Sequence, residues 1–102
     1  MSYRVAFSAR ADADLNRLYD FILERDPDGW TLAEQARVTL VDSVKSLERT
    51  PFSFRKATPS NSFLREMVVP FGATGFVVLF EVFDQHTVVV LAIRHQREDD
   101  FF

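Results

Sequence analysis

Apolar residues recur at Ala11, Leu15, Leu18 and Ile22, spacings of four, three and four that trace one face of a helix. Tyr19 and Phe21 widen that stripe, and the helix is expected from about Ala9 to Arg25. Ser8 can serve as its N-cap, and Asp12 and Asp14 place negative charge near a helix N-terminus. Asp26-Pro27-Asp28-Gly29 supplies the turn chemistry that stops it. A second stripe, Ala33, Ala36, Leu40, Val44 and Leu47, predicts another helix to about Arg49, ended by Thr50-Pro51. Thr31-Leu-Ala-Glu34 reads as its capping box. Two helices joined by a short turn make an antiparallel hairpin.

Elsewhere the period is that of strands. Tyr3 to Phe7 is a short first strand. Phe63 to Val69 is expected as another, stopped by Pro70, with Arg65 on the face of Phe63 and Met67, and Glu66 on that of Leu64 and Val68. Phe71 to Gly75 reads as a turn, Phe76 to Phe83 as an apolar strand interrupted by Glu81, Asp84-Gln85 as a tight turn, and Thr87 to Arg94 as the final strand. Such short connections predict an antiparallel meander. The predicted fold is α+β: an N-terminal strand, then an antiparallel helical hairpin packed on an antiparallel sheet. The hairpin covers one face, and the other is expected to be an interaction surface. Pro51 to Ser62 is expected as a loop whose Phe52 and Phe54 either tuck onto the core or, beside Arg55 and Lys56, stack on a nucleic acid.

With 102 residues and no linker, the chain reads as one domain spanning 1–102, and 47% hydrophobic residues with eleven Phe supply its core. The lack of cysteine excludes disulfides and thiolate metal sites. No apolar run is long enough for a signal peptide or a membrane helix, so a soluble, cytoplasmic protein with no membrane partner is expected. A net charge of −3 argues against general nucleic-acid affinity. The charge is uneven, however: from Arg49 to Arg65 there are four cations and no acid. Arginine greatly outnumbers lysine, which suits bidentate contact with carboxylates or phosphates.

Cofactor chemistry finds little foothold. Three glycines cannot write a phosphate-binding loop, and neither His86 nor His95 has metal-ligand spacing around it. No cofactor and no metal are expected. Glu98-Asp99-Asp100 reads as a solvated acidic tail. Glu66 and Glu81, on neighbouring strands, act as an acid–base pair or pair with arginines. What remains is a cationic set: Arg65, Arg94, His95 and Arg97, joined by Arg55 and Lys56. If the strands register so that Arg65 meets the end of the last strand, the set could stabilise a phosphodiester transition state, with His95 shuttling the proton. The other reading is that these residues pair with acids of the tail or of a partner.

Over nearly its full length the chain resembles the ParE/RelE superfamily of toxins from type II toxin–antitoxin systems. The resemblance is carried by Tyr3-Arg-Val-Ala-Phe7, Ser8-Ala-Arg-Ala-Asp12-Ala-Asp-Leu15, the helical hairpin, Phe63-Leu64-Arg65, Gly75-Phe-Val-Val-Leu-Phe80 and Val90-Leu-Ala-Ile-Arg94-His95-Gln96-Arg97-Glu98-Asp99. The closing segment looks most like the ParE branch. The resemblance implies a ParD-like antitoxin that wraps and neutralises the toxin in a hetero-oligomer, and DNA gyrase as the target. Arg55, Lys56, Arg65, Arg94, His95, Arg97, Phe101 and Phe102 are then candidate contacts, the two terminal phenylalanines as apolar anchors. On this reading the protein works by binding and is not an enzyme. The alternative is the RelE branch, a ribosome-dependent mRNA endonuclease, in which Arg65 and Arg97 would stabilise phosphate and His95 act as acid or base. Three departures favour ParE. The terminal tyrosine of the nuclease pattern is replaced by Phe101-Phe102, its lysine-rich loop is reduced to Arg55-Lys56, and the chain is acidic.

Overall fold

The computed structural model describes residues 2–98. Strand β1 (Arg4–Phe7) leads into helix α1 (Ala9–Arg25) and helix α2 (Trp30–Lys45). Two single 3-10 turns, Ser46–Glu48 and Pro51–Ser53, precede strands β2 (Arg55–Thr58), β3 (Asn61–Phe71), β4 (Thr74–Val82) and β5 (Thr87–His95). The sheet order is β1-β5-β4-β3-β2. Strands β3, β4 and β5 form the expected antiparallel meander, β2 adds to β3 antiparallel, and β1 adds to β5 in parallel, with Val5 beside Val88 and Phe7 beside Val90.

Both helical stripes pack as their spacing predicts. Ala11 and Leu18 of α1 are buried, with Leu15 and Ile22 against the same core. Ala33, Ala36, Leu40, Val44 and Leu47 are all buried as well. All but Ala33 share one core cluster with Met67, Val69, Phe76, Val78, Phe80, Val88, Val90 and Ile93 of the sheet. Phe21 departs from the expected stripe: it is half exposed, with the Arg25 guanidinium 5.4 Å from its ring centroid.

Ser8 is the N-cap of α1, its hydroxyl accepting the Ala11 N–H at 3.0 Å and donating to the Leu91 carbonyl at 2.9 Å. The capping box at Thr31 does not form. The helix begins at Trp30 because the Gly29 carbonyl accepts the Ala33 N–H at 2.9 Å, which leaves Thr31 inside the first turn. Glu34 turns to Arg37 instead. The segment 51–62 is not a plain loop either. Arg55 pairs with Glu66 and Lys56 with Arg65, giving an edge strand where Pro, Ser and Thr had suggested none.

Pro70 does not stop β3. It lies opposite Gly75, one pair from the two-residue turn Gly72-Ala73. The Phe71–Thr74 pair closes that turn, so the nitrogen of the preceding residue faces away from β4. Strand β2 pairs no further than Glu66, so the missing N–H of Pro70 lies at an open edge. Gly72 has φ +62°, the left-handed region, as the first central residue of a tight hairpin turn requires.

One irregularity in the sheet matters for function. Leu79 pairs with Ala92 but Phe80 pairs with Val90, so Leu91 is an extra residue, a bulge in β5. Before it Val88 and Val90 face the helices; after it Ile93 does.

Candidate functional site

The end of β5 carries most of the expected cations. Arg94 pairs with Val77 and lies on the face away from the helices. Its Nη1 donates to the carbonyls of His95, at 3.3 Å, and Glu98. His95 pairs with Phe76 and sets its ring edge-on to that ring, 6.0 Å between centroids. Its Nδ1 accepts the Arg97 N–H at 3.1 Å. The Glu98 carboxylate accepts the His95 N–H at 3.3 Å and Nη1 of Arg17 at 3.2 Å. The turn after β5 is therefore folded under the strand and tied to α1. Arg97 is exposed on it, its side chain meeting no acid among the described residues.

Asp14 and Arg17, which the sequence pattern did not single out for this region, build its support. The parallel partner β1 ends at Phe7, opposite Val90, so the remaining edge of β5 needs other partners. The Asp14 carboxylate supplies one, accepting the Ile93 N–H at 2.9 Å while Arg10 and Arg17 stand 3.8 and 3.9 Å away. Asp14 and Ile93 are far apart in the chain, so no local pattern announces the contact.

Arg65 is placed differently. It follows Phe63 and precedes Met67 on the helix-facing side of β3, and its guanidinium turns back onto the chain. Nε donates to the Ser62 carbonyl at 2.8 Å, and Nη1 donates to those of Phe52 and Phe54 at 3.2 and 2.8 Å. The charge lies 5.1 Å from the centroid of the Phe52 ring. Arg65 thus braces the 3-10 turn before β2. Phe54, held by this brace, packs on Phe80 at 6.1 Å, whereas Phe52 stays exposed and meets Phe63 edge-on. On β2, Arg55 pairs with Glu66 at 3.2 Å, as an arginine partner for that acid had been expected, and Lys56 is exposed.

The structure does not bring Arg65 and the end of β5 together. Arg65 is level with Phe80 and Val90, while Arg94 is level with Val77 and Val68. The separation is about 10 Å along the strands, at roughly 3.4 Å per residue. The bulge at Leu91 adds a second separation: it turns Arg94 to the outer face, opposite the face of Arg65. Phe101 and Phe102 lie outside the described residues.

The shifted carboxyl groups lie away from these cations. Hydrogen bonds from Arg37 hold Glu34 below the ordinary carboxylate range, and the His86 N–H does the same for Asp84. Among the described residues no cluster of His, Asp and Glu could hold a metal ion, and no helix is long and apolar enough to cross a membrane. The chemistry on offer is charge and hydrogen bonding at a surface: Arg97 and Lys56 outward, Arg94 and Arg65 largely engaged.

Known proteins place this arrangement in a family. The profile of the ParE toxin of the type II toxin–antitoxin system parDE matches residues 5–100. Toxin RelE1 of Caulobacter vibrioides is 32% identical over 82 residues, which cover 80% of this chain and 82% of that protein. Among solved structures, the chromosomal ParDE system from P. aeruginosa superposes with a TM-score of 0.71 at 20% identity, covering 92% of this chain and 96% of that one. The toxin–antitoxin complex RelBE2 from Mycobacterium tuberculosis gives a TM-score of 0.63 at 22% identity, covering 96% and 95%. Those two likenesses concern the fold. By its family match and its sequence identity, this chain belongs to the ParE toxins of type II toxin–antitoxin systems, within the ParE/RelE superfamily.

Proposed function

We propose that this toxin acts by binding rather than by cleavage, that its target is DNA gyrase, and that a ParD-like antitoxin neutralises it in a hetero-oligomer. The observation that carries this reading is the separation of the arginines. A phosphodiester transition state needs donors converging on one phosphate. Here Arg65 spends three donated bonds on backbone carbonyls on one face, and Arg94 sits about 10 Å further along on the other. His95 already accepts a backbone N–H at Nδ1. A net charge of −3 also suits a protein partner better than ribosomal RNA. The antitoxin follows from the family and from the likeness to two solved toxin–antitoxin systems.

The test is a gyrase supercoiling and DNA-cleavage assay with purified toxin. Inhibition or trapped cleavage that the antitoxin relieves is expected, and R97A and R94A should weaken it. Untouched gyrase activity at saturating toxin overturns the reading.

The identity to a protein named Toxin RelE1 favours a second reading, ribosome-dependent mRNA cleavage with Arg65, His95 and Arg97 as the working residues. Codon-directed cleavage in a translating extract, abolished by R65A in a variant that keeps its fold, would establish it. Either target places the site of action in the cytoplasm.

A further inference from the structure

At the opposite end of the sheet from His95, the chain carries an aromatic groove whose lining includes no cation. It lies beside the β4–β5 turn, is about 660 Å³ in volume, and is walled by Tyr3, Phe52, Phe63 and Phe83. Phe83 is 68% exposed, Phe63 54% and Phe52 44%, three of the eight large apolar side chains that are exposed among the described residues. Such a concentration on one spot of a small protein marks a contact surface. Core packing does not need them, since Phe80 and Val82 fill the interior beneath.

The polar members of the groove say what it would bind. They are Asn61, Glu81, Asp84 and Gln85; two are acids and none is a cation. Glu81 is half-buried between Leu64 and Val89 on the neighbouring strands, and none of the described cations pairs with it. Asp84 accepts the His86 N–H at 2.8 Å, which keeps it ionised. The Arg65 guanidinium, which does not line the groove, already lies over the Phe52 ring at 5.1 Å, so this aromatic wall accepts such a group in the protein itself. Phosphate would be repelled by the two carboxylates, which sets the groove apart from a nucleic-acid channel.

We propose that this groove docks a protein segment in which an arginine stands next to a large apolar side chain. The apolar side chain seats among Phe52, Phe63 and Phe83. The guanidinium stacks on an outer phenylalanine and meets Glu81 and Asp84. The segment is opposite in charge to an acidic one drawn to Arg94 and Arg97. The toxin thus offers two chemically distinct contact surfaces, one at each end of its sheet. The groove and its acids are the same whichever target the toxin poisons.

The experiment is a random-peptide display library panned on the full chain, with the doubly substituted F63S/F83S chain as counter-selection. Both positions are exposed, and matching thermal melts would show that the variant keeps its fold. Peptides with arginine beside leucine, phenylalanine or tryptophan are expected. A synthetic peptide of the recovered consensus should lose about tenfold or more in affinity on F63S/F83S, as removal of central aromatic anchors does. It should also weaken severalfold on E81Q/D84N and in high salt. Acidic consensus peptides, equal binding to F63S/F83S, or no groove-dependent peptide at all would overturn the proposal. So would a dimer in sedimentation that F83S dissolves, which would make a second copy the occupant, or an oligoribonucleotide that competes for the groove.

Discussion

The carboxylate of Asp14, on the second turn of α1, accepts the backbone N–H of Ile93, near the end of β5 past its parallel partner, at 2.9 Å. The bond closes the edge that β1 leaves open, and Asp14 is only 15% exposed there. Removing the acceptor leaves a partly buried N–H without a partner. D14A is expected to cost about 2 kcal/mol, in the range for a charged hydrogen bond, and D14N less because its oxygen still accepts. Urea unfolding of the three chains would measure this. Amide exchange at Ile93 should accelerate in D14A ahead of global unfolding, and an unchanged rate would show that the bond contributes nothing.

Arg65 gives the prediction that separates support from chemistry. Its three backbone acceptors, at Ser62, Phe52 and Phe54, make R65A a stability variant costing about 1–2 kcal/mol. R65K should recover only part of that, since an ammonium lacks the planar fork that reaches three carbonyls. Calorimetric melting points ordered wild type, R65K, R65A would bear this out. Equal melting points would free Arg65 for a purely functional role.

Gly75 faces Pro70 so closely that an added Cβ would stand 2.3 Å from the Val69 carbonyl oxygen, a backbone atom that cannot swing aside. G75A should therefore destabilise by about 1–3 kcal/mol, as overpacked sites do. G72A meets open space but needs φ +62°, and should cost about 1 kcal/mol, the penalty of the left-handed region. Chemical denaturation of the pair tests the order; G72A proving worse would place the strain at the turn.

Asp84 sets a pH dependence. Its carboxyl is held below 3.8 chiefly by the His86 N–H, helped by Thr87. A folded value below the unfolded one means that the stabilisation is present above about pH 4 and is lost as pH falls through the folded value. The His86 amide resonance should titrate with a midpoint below 3.8, and D84N should remove that titration. A midpoint at the ordinary value would mean that the bond is absent in solution.

Much of the fold was legible because helices announce themselves locally. Ala11, Leu15, Leu18 and Ile22 sit one turn apart whatever surrounds them, and Ser8 caps its helix from three residues away. Thr31 does not cap its helix because the Gly29 carbonyl starts it earlier, and a glycine has no side chain to signal that start. Strand β2 is not legible in the sequence because its partner lies in β3, and its Arg, Lys, Ala and Thr fit an exposed edge as well as a loop.

The sequence names the candidate residues by type but not their arrangement. Whether Arg65 and Arg94 share a face depends on strand register, and one extra residue in β5, Leu91, reverses every side chain after it. That bulge carries no glycine or proline to mark it; it exists because Phe80 pairs with Val90 and Leu79 with Ala92. The aromatic groove has the same origin. Tyr3, Phe52, Phe63 and Phe83 are scattered over the chain, and only the closing of β1 onto β5 and the folding of the 51–53 turn under Arg65 set them side by side. Local periodicity specified the helices, the meander and the apolar faces; which charged and aromatic side chains became neighbours was decided by long-range pairing, because no short-range energy records it.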